Sequence, residues 1–184
     1  MENENKLPNR KSVRLKNYDY SSDGLYFITI CTQDMKCLFG YIKDGEMILN
    51  KYGKSIEQEL LKIPTNYPDT TIVTYIVMPN HIHFILHSCR VYGPDGLRVY
   101  NSVGAGSARP QTGSVRQENK IHTIGQIIGR FKFNTTKTIN MENKLWQRGF
   151  YEHIIRSEKS FIEIDYYIRV NPKTWESDKL FRVG

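Results

Sequence analysis

Met78-Pro79-Asn80-His81-Ile82-His83-Phe84-Ile85-Leu86 is the stretch on which the reading of this chain turns. The run Thr71-Ile72-Val73-Thr74-Tyr75-Ile76-Val77 leads into it, Pro79-Asn80 marks a turn, and Ile82 to Leu86 lead out as a second apolar run. Two β-branched, apolar runs joined by so short a link predict an antiparallel strand pair over 70–78 and 81–87. On a strand, His81 and His83 leave the same face, roughly 6.5–7 Å apart at Cα. Two imidazoles so placed can converge on one divalent cation. The competing reading of a bare His-x-His is structural, with one ring in the core and the other capping the turn.

Working outward, Gly24 to Thr32 (Gly-Leu-Tyr-Phe-Ile-Thr-Ile-Cys-Thr) is apolar on both faces and predicts a central strand. Asp44-Gly45 between Leu38–Ile42 and Glu46–Leu49 predicts a hairpin. Ile56, Leu60, Leu61 and Ile63 give residues 51–63 a helical period, which Pro64 and Pro68 are expected to end. Helical spacing returns at 121–139 through Ile124, Ile127, Ile128 and Phe131. Leu145 to Arg156 predicts a strand broken at Gly149. Ser157 is the expected N-cap of a last helix, 158–171, carrying Phe161, Ile164 and Ile168 and stopped by Pro172. Strands and helices in this order predict an α+β fold, a sheet with helices on one face. Trp175, Leu180 and Phe181 should dock the C-terminal residues onto it.

The 184 residues make one domain the default. An excess of 26 basic over 19 acidic side chains, net +7, favours a polyanionic partner, nucleic acid before an acidic membrane surface. Part of that charge falls in a basic N-terminal arm within residues 1–20 (Lys6, Arg10, Lys11, Arg14, Lys16). Part falls in a glycine-rich segment, 88–120, which reads as a flexible insertion. Cys31, Cys37 and Cys89 form no Cys-x-x-Cys and read as reduced thiols. The start of the chain has no apolar leader, and no run approaches the ~20 apolar residues of a membrane span, so a soluble cytoplasmic protein is expected.

On the last helix Glu163, Tyr167 and Asn171 recur every fourth residue, a face expected roughly opposite the Phe161–Ile164–Ile168 stripe. A tyrosine hydroxyl can be a nucleophile, and an asparagine oxygen can serve a hard cation. One helix can thus supply a nucleophile and a third metal ligand. Tyr166 competes for the first role, and Asn171-Pro172 also reads simply as a helix stop.

Three segments, in order, resemble REP-associated tyrosine transposases, members of the wider His-hydrophobic-His endonucleases. They are Met78 to Phe84, Trp146 to His153 (Trp-Gln-Arg-Gly-Phe-Tyr-Glu-His), and Asp165 to Pro172 (Asp-Tyr-Tyr-Ile-Arg-Val-Asn-Pro). With the strand at 25–32 and the helix at 121–139, the resemblance spans about residues 10–178. It implies a ferredoxin-like or RRM-like palm: a central antiparallel sheet, helices on one face, the histidines on a central strand and a C-terminal tyrosine-bearing helix. It implies a divalent cation, Mg or Mn, held by His81, His83 and Asn171. The family's Tyr-x-x-x-Asn-Pro pattern selects Tyr167 over Tyr166. The implied activity is nicking and strand transfer of single-stranded, hairpin-containing DNA through a 5′-phosphotyrosine, by a monomer or homodimer. Lys11, Arg14, Arg130, Lys132 and Arg148 are the expected DNA contacts. No general base is obvious: Glu163, one turn before Tyr167, competes with its reading as a solvated helix residue, and His87 and His153 have no assigned role. The same palm without chemistry would be a nucleic-acid-binding module, the alternative from another functional class.

Overall fold

A computed structural model describes residues 23–89 and 122–182. The N-terminal arm, with Lys11 and Arg14, and nearly all of the 88–120 insertion lie outside them. Strand β1, Gly24–Cys31, is followed by the hairpin strands β2, Gly40–Lys43, and β3, Glu46–Leu49. Helices α1, Lys51–Leu61, and α2, Ile63–Asn66, lead to β4, Thr70–Val77, and β5, His81–Ser88. Helix α3, Ile124–Ile139, strand β6, Tyr151–Ile155, and helix α4, Glu158–Val170, complete the order, with a 3-10 turn at Asn171–Ser177.

Among the described residues, four strands form one antiparallel sheet in the order β4-β5-β1-β6. Numbered as they occur in the chain, those strands run 2-3-1-4, the ferredoxin-like order, with β2–β3 inserted after the first. The fold is α+β. β1 and β5, whose sequences are apolar on both faces, occupy the centre, where both faces are covered. Alternation then sorts their side chains. Tyr26, Ile28, Ile30, Ile82, Phe84 and Leu86 point to one face and pack with Ile56 and Leu60 of α1 and Ile124, Ile127, Ile128 and Phe131 of α3. Phe27 and Ile85 point to the other and pack with Ile155 and with Phe161, Ile164 and Ile168 of α4. The tyrosine-bearing helix therefore covers the face that the other long helices leave, and that is the face of His81 and His83.

Local chemistry explains the boundaries. The β2–β3 loop is two residues, and Asp44 and Gly45 both take positive φ (52° and 75°), as a tight hairpin turn with native twist requires. Asn50 caps α1 by accepting from the Tyr52 and Gly53 amides. Ser157 caps α4 through the Ser160 amide, at the expected position. Two expectations fail. Pro64 sits in the first turn of α2, where its missing N–H costs nothing, so it starts a short helix instead of only ending one. Of the strand expected over 145–156 with its break at Gly149, the part before the break does not form and only Tyr151–Ile155 does. Trp146 makes one isolated bridge to Thr32, and Gly149 at φ 81° turns the chain before β6 begins.

Candidate active site

The turn at 78–80 closes through the Met78 amide and the His81 carbonyl, 2.8 Å apart, and starts β5 at His81. His81 and His83 are both buried, with ring centroids 4.4 Å apart. Their cross-strand partners on β1 are Cys31 and Thr29. Thr29 follows through: its Oγ1 lies 2.8 Å from His83 Nδ1. His81 Nδ1 lies 2.7 Å from Asn80 Oδ1. Each ring is thus held at Nδ1, which turns Nε2 toward the space beneath α4.

Helix α4 brings the other half. The spacing of its sheet-facing stripe, Phe161, Ile164 and Ile168, continues in step to Asn171, which is fully buried. The expectation that Tyr167 and Asn171 lie opposite this stripe is wrong: Asn171 extends it, and Tyr167 flanks it. Tyr167 is 37% exposed with its hydroxyl 3.2 Å from His83 Nε2, while Tyr166 is 66% exposed on the far side. Glu163 points to solvent and pairs with Lys159 at 4.0 Å, away from the phenol.

The carboxylate at the phenol is Asp178, which no motif in the sequence marks. Its Oδ2 accepts from the Tyr167 hydroxyl at 2.8 Å and from Asn171 Nδ2 at 2.6 Å, and its Oδ1 accepts from the Leu180 amide at 2.6 Å. It arrives because Trp175 is buried beside His81, their ring centroids 5.9 Å apart, and so draws the following turn onto the site. The available signal is the apolar Trp175-x-x-x-x-Leu180-Phe181 pattern around two acids, Glu176 and Asp178.

Electrostatics follow burial. Burial holds the His81 imidazole down at about 4 against a partly opposing pull from Asp178, and puts His83 well below its ordinary range, with His81 adding to the effect. Both rings are neutral at pH 7, the state that ligates metals. Burial, and then the Asp178 carboxylate, raise the Tyr167 phenol. Asp178 itself is raised by burial but lowered more by its donors from Leu180, Asn171 and Tyr167, and ends below the usual carboxylate range.

Whether a divalent cation fits can be judged from unpaired atoms. His81 Nε2 and Asn171 Oδ1 are buried without a hydrogen-bond partner. A carboxylate only accepts, so Asn171 must turn its NH2 to Asp178 and leave its oxygen free. One nitrogen from each histidine and one Asp178 oxygen also lie within 4.8 Å of one another. Buried orphan acceptors are costly, and a cation would satisfy both. Two imidazole nitrogens with amide and carboxylate oxygens suit a divalent cation.

The expected DNA contacts divide. Arg130 and Arg148 are exposed, Arg130 stacking 5.7 Å from the Phe133 ring centroid. Lys132 is not free for phosphate: its Nζ donates to the Gln147 and Gly149 carbonyls at 2.6 and 2.7 Å. Among the described residues, no helix is long and apolar enough to cross a membrane.

The ordered motifs and this geometry agree with comparisons to known proteins. An uncharacterized Haemophilus influenzae protein is 40% identical over 179 residues, covering 95% of this chain and 94% of its own length. A second protein of that organism, named "Putative REP-associated tyrosine transposase", is 28% identical over 160 residues, 86% of this chain and 76% of its own. No protein-family model matches the chain. Among solved structures, a REP-associated tyrosine transposase bound to a REP hairpin superposes with a TM-score of 0.56 at 18% identity. That match covers 92% of this chain and 77% of the other and establishes a shared fold. With its three motifs in order, its shared fold and these relatives, the chain is similar to the REP-associated tyrosine transposases.

Proposed function

We propose that the protein nicks and rejoins single-stranded DNA flanking a hairpin, in a metal-dependent reaction that passes through a 5′-phosphotyrosine on Tyr167. The observation that carries this reading is the Tyr167 hydroxyl, 3.2 Å from His83 Nε2, in a cluster with the unpaired His81 Nε2 and Asn171 Oδ1. A tyrosine hydroxyl beside buried hard and imidazole ligand atoms is what phosphoryl transfer needs and what a packing tyrosine does not. His81, His83 and Asn171 would hold a divalent cation, with Asp178 close enough to join them. When bound, that ion supplies charge neutralisation at the non-bridging phosphate oxygens.

The chain's own groups do the rest. Tyr167 oxygen forms a bond to phosphorus while the phosphorus–O3′ bond breaks. The phenol proton passes to Asp178 Oδ2, to which it is already hydrogen-bonded. The leaving O3′ takes a proton from water and becomes a 3′-OH. One phosphodiester is exchanged for another, so no external energy source is needed. A 3′-OH from a second DNA end can attack the phosphotyrosine, reform a DNA phosphodiester and return the phenol. His83, held by Thr29, fixes the direction from which phosphate meets the tyrosine. Arg130 and Arg148, both exposed, would meet phosphates outside the centre, and Lys11 and Arg14 belong to the arm outside the described residues.

Tyr167→Phe should abolish nicking of a hairpin with labelled single-stranded flanks, while gel-shift affinity for the hairpin stays within a few-fold. Tyr166→Phe should nick normally. Nicking retained by Tyr167→Phe would contradict the assignment.

A further inference from the structure

The Asn80 side chain does more than mark a turn. It is fully buried, and both polar atoms of its side chain and its backbone carbonyl are engaged. Its Nδ2 donates to the Leu180 carbonyl at 2.8 Å and to the Met35 carbonyl at 3.2 Å. Its backbone carbonyl accepts from the Thr32 amide at 2.9 Å and the Thr32 hydroxyl at 3.0 Å. Both side-chain contacts at Nδ2 are to carbonyl oxygens, which only accept, so the NH2 group must stand there. The amide cannot flip. Its oxygen therefore faces His81 Nδ1 at 2.7 Å, and an amide oxygen only accepts.

We infer that Asn80 is a positioning residue that locks His81 in the Nδ1–H tautomer and so presents a bare Nε2 lone pair to the site. A neutral imidazole carries one N–H, and the hydrogen bond at one nitrogen decides the state of the other. The unpaired, buried His81 Nε2 is the counterpart of that bond. Outer partners of ligating histidines raise affinity in this way, typically by 10–100-fold. Leu180 and Met35 act one step further out, by orienting Asn80. An aspartate here would keep the acceptor but lose both donor contacts; an alanine would lose all three. The consequence for metal affinity rests on the proposed function, whereas the tautomer itself does not.

Two measurements on the full-length protein separate these claims. The first is the long-range 1H–15N spectrum of the histidine rings in metal-free protein at neutral pH. The wild type should show protonated Nδ1 and bare Nε2 at His81. Asn80→Ala should move proton density to Nε2, and Asn80→Asp should restore the wild-type pattern. The second is Mn2+ titration by calorimetry, where Asn80→Ala should weaken binding 10–100-fold and Asn80→Asp should recover most of it. A protonated Nε2 at His81 in the wild type would overturn the inference without any variant, so a failure of Asn80→Ala to fold does not protect it. An Asn80→Ala protein that folds and keeps Nδ1–H would overturn it equally. The expected wild-type tautomer with no Mn2+ binding would uphold Asn80's role and count against the metal reading instead.

Discussion

His81 and His83 sit side by side inside the protein as neutral rings, and that has a cost when protons are plentiful. His81 is held at about 4 in the folded chain against an ordinary 6.5, chiefly by burial. The unfolded chain therefore binds the proton first as pH falls. The contribution to stability is complete above about pH 6.5 and is lost as pH drops towards 4, by roughly 3 kcal/mol for this group. Urea unfolding of metal-free protein at pH 7 and pH 4.5 should show the loss, and His81→Gln should reduce it; an equal loss in the variant would contradict this source. At this scale the sequence is partly legible. His-x-His and Tyr-x-x-x-Asn name four side chains that do meet. Asp178 was not legible, because nothing periodic links it to the helix and only tertiary docking of Trp175 brings it in. Asn80 looked like turn punctuation, since a side chain that orients its neighbour leaves no mark in spacing.

Helix α4 and the loop after Gln147 show what patterns can and cannot give at the level of elements. The period of α4 identifies which residues share a stripe, yet a four-residue repeat drifts around the helix, so Asn171 ends on the buried stripe while Glu163 faces water. Nor does amphipathicity say which face of the sheet a helix will cover. Lys132 is the same lesson on α3. It looked like a phosphate contact, but burial first, and then Lys144, hold its ammonium down at about 8, and it ties the 147–149 loop ahead of β6. Lys132→Met should lower unfolding free energy by about 1–3 kcal/mol through two carbonyls left short of donors. The salt slope of hairpin binding should hardly move, whereas Arg130→Ala or Arg148→Ala should each reduce it by about one. A stable Lys132→Met protein with a reduced salt slope would reverse the assignment.

Over the whole molecule, the strand order and the helix packing converge on one spot. β1 and β5, central because both their faces are apolar, carry Thr29, His81 and His83 to one side of the sheet. α1 and α3 fill the other side, which leaves this one for α4 and its tyrosine. The central claim is that Tyr167, and no water molecule or neighbouring phenol, takes the phosphate. The direct test is to incubate the protein with Mn2+ and hairpin DNA bearing single-stranded flanks, denature it, digest it, and sequence the DNA-bearing peptide by mass spectrometry. The expected product is a nucleotide linked through its 5′-phosphate to Tyr167. Linkage to Tyr166, or cleaved DNA with no covalent peptide, would contradict it.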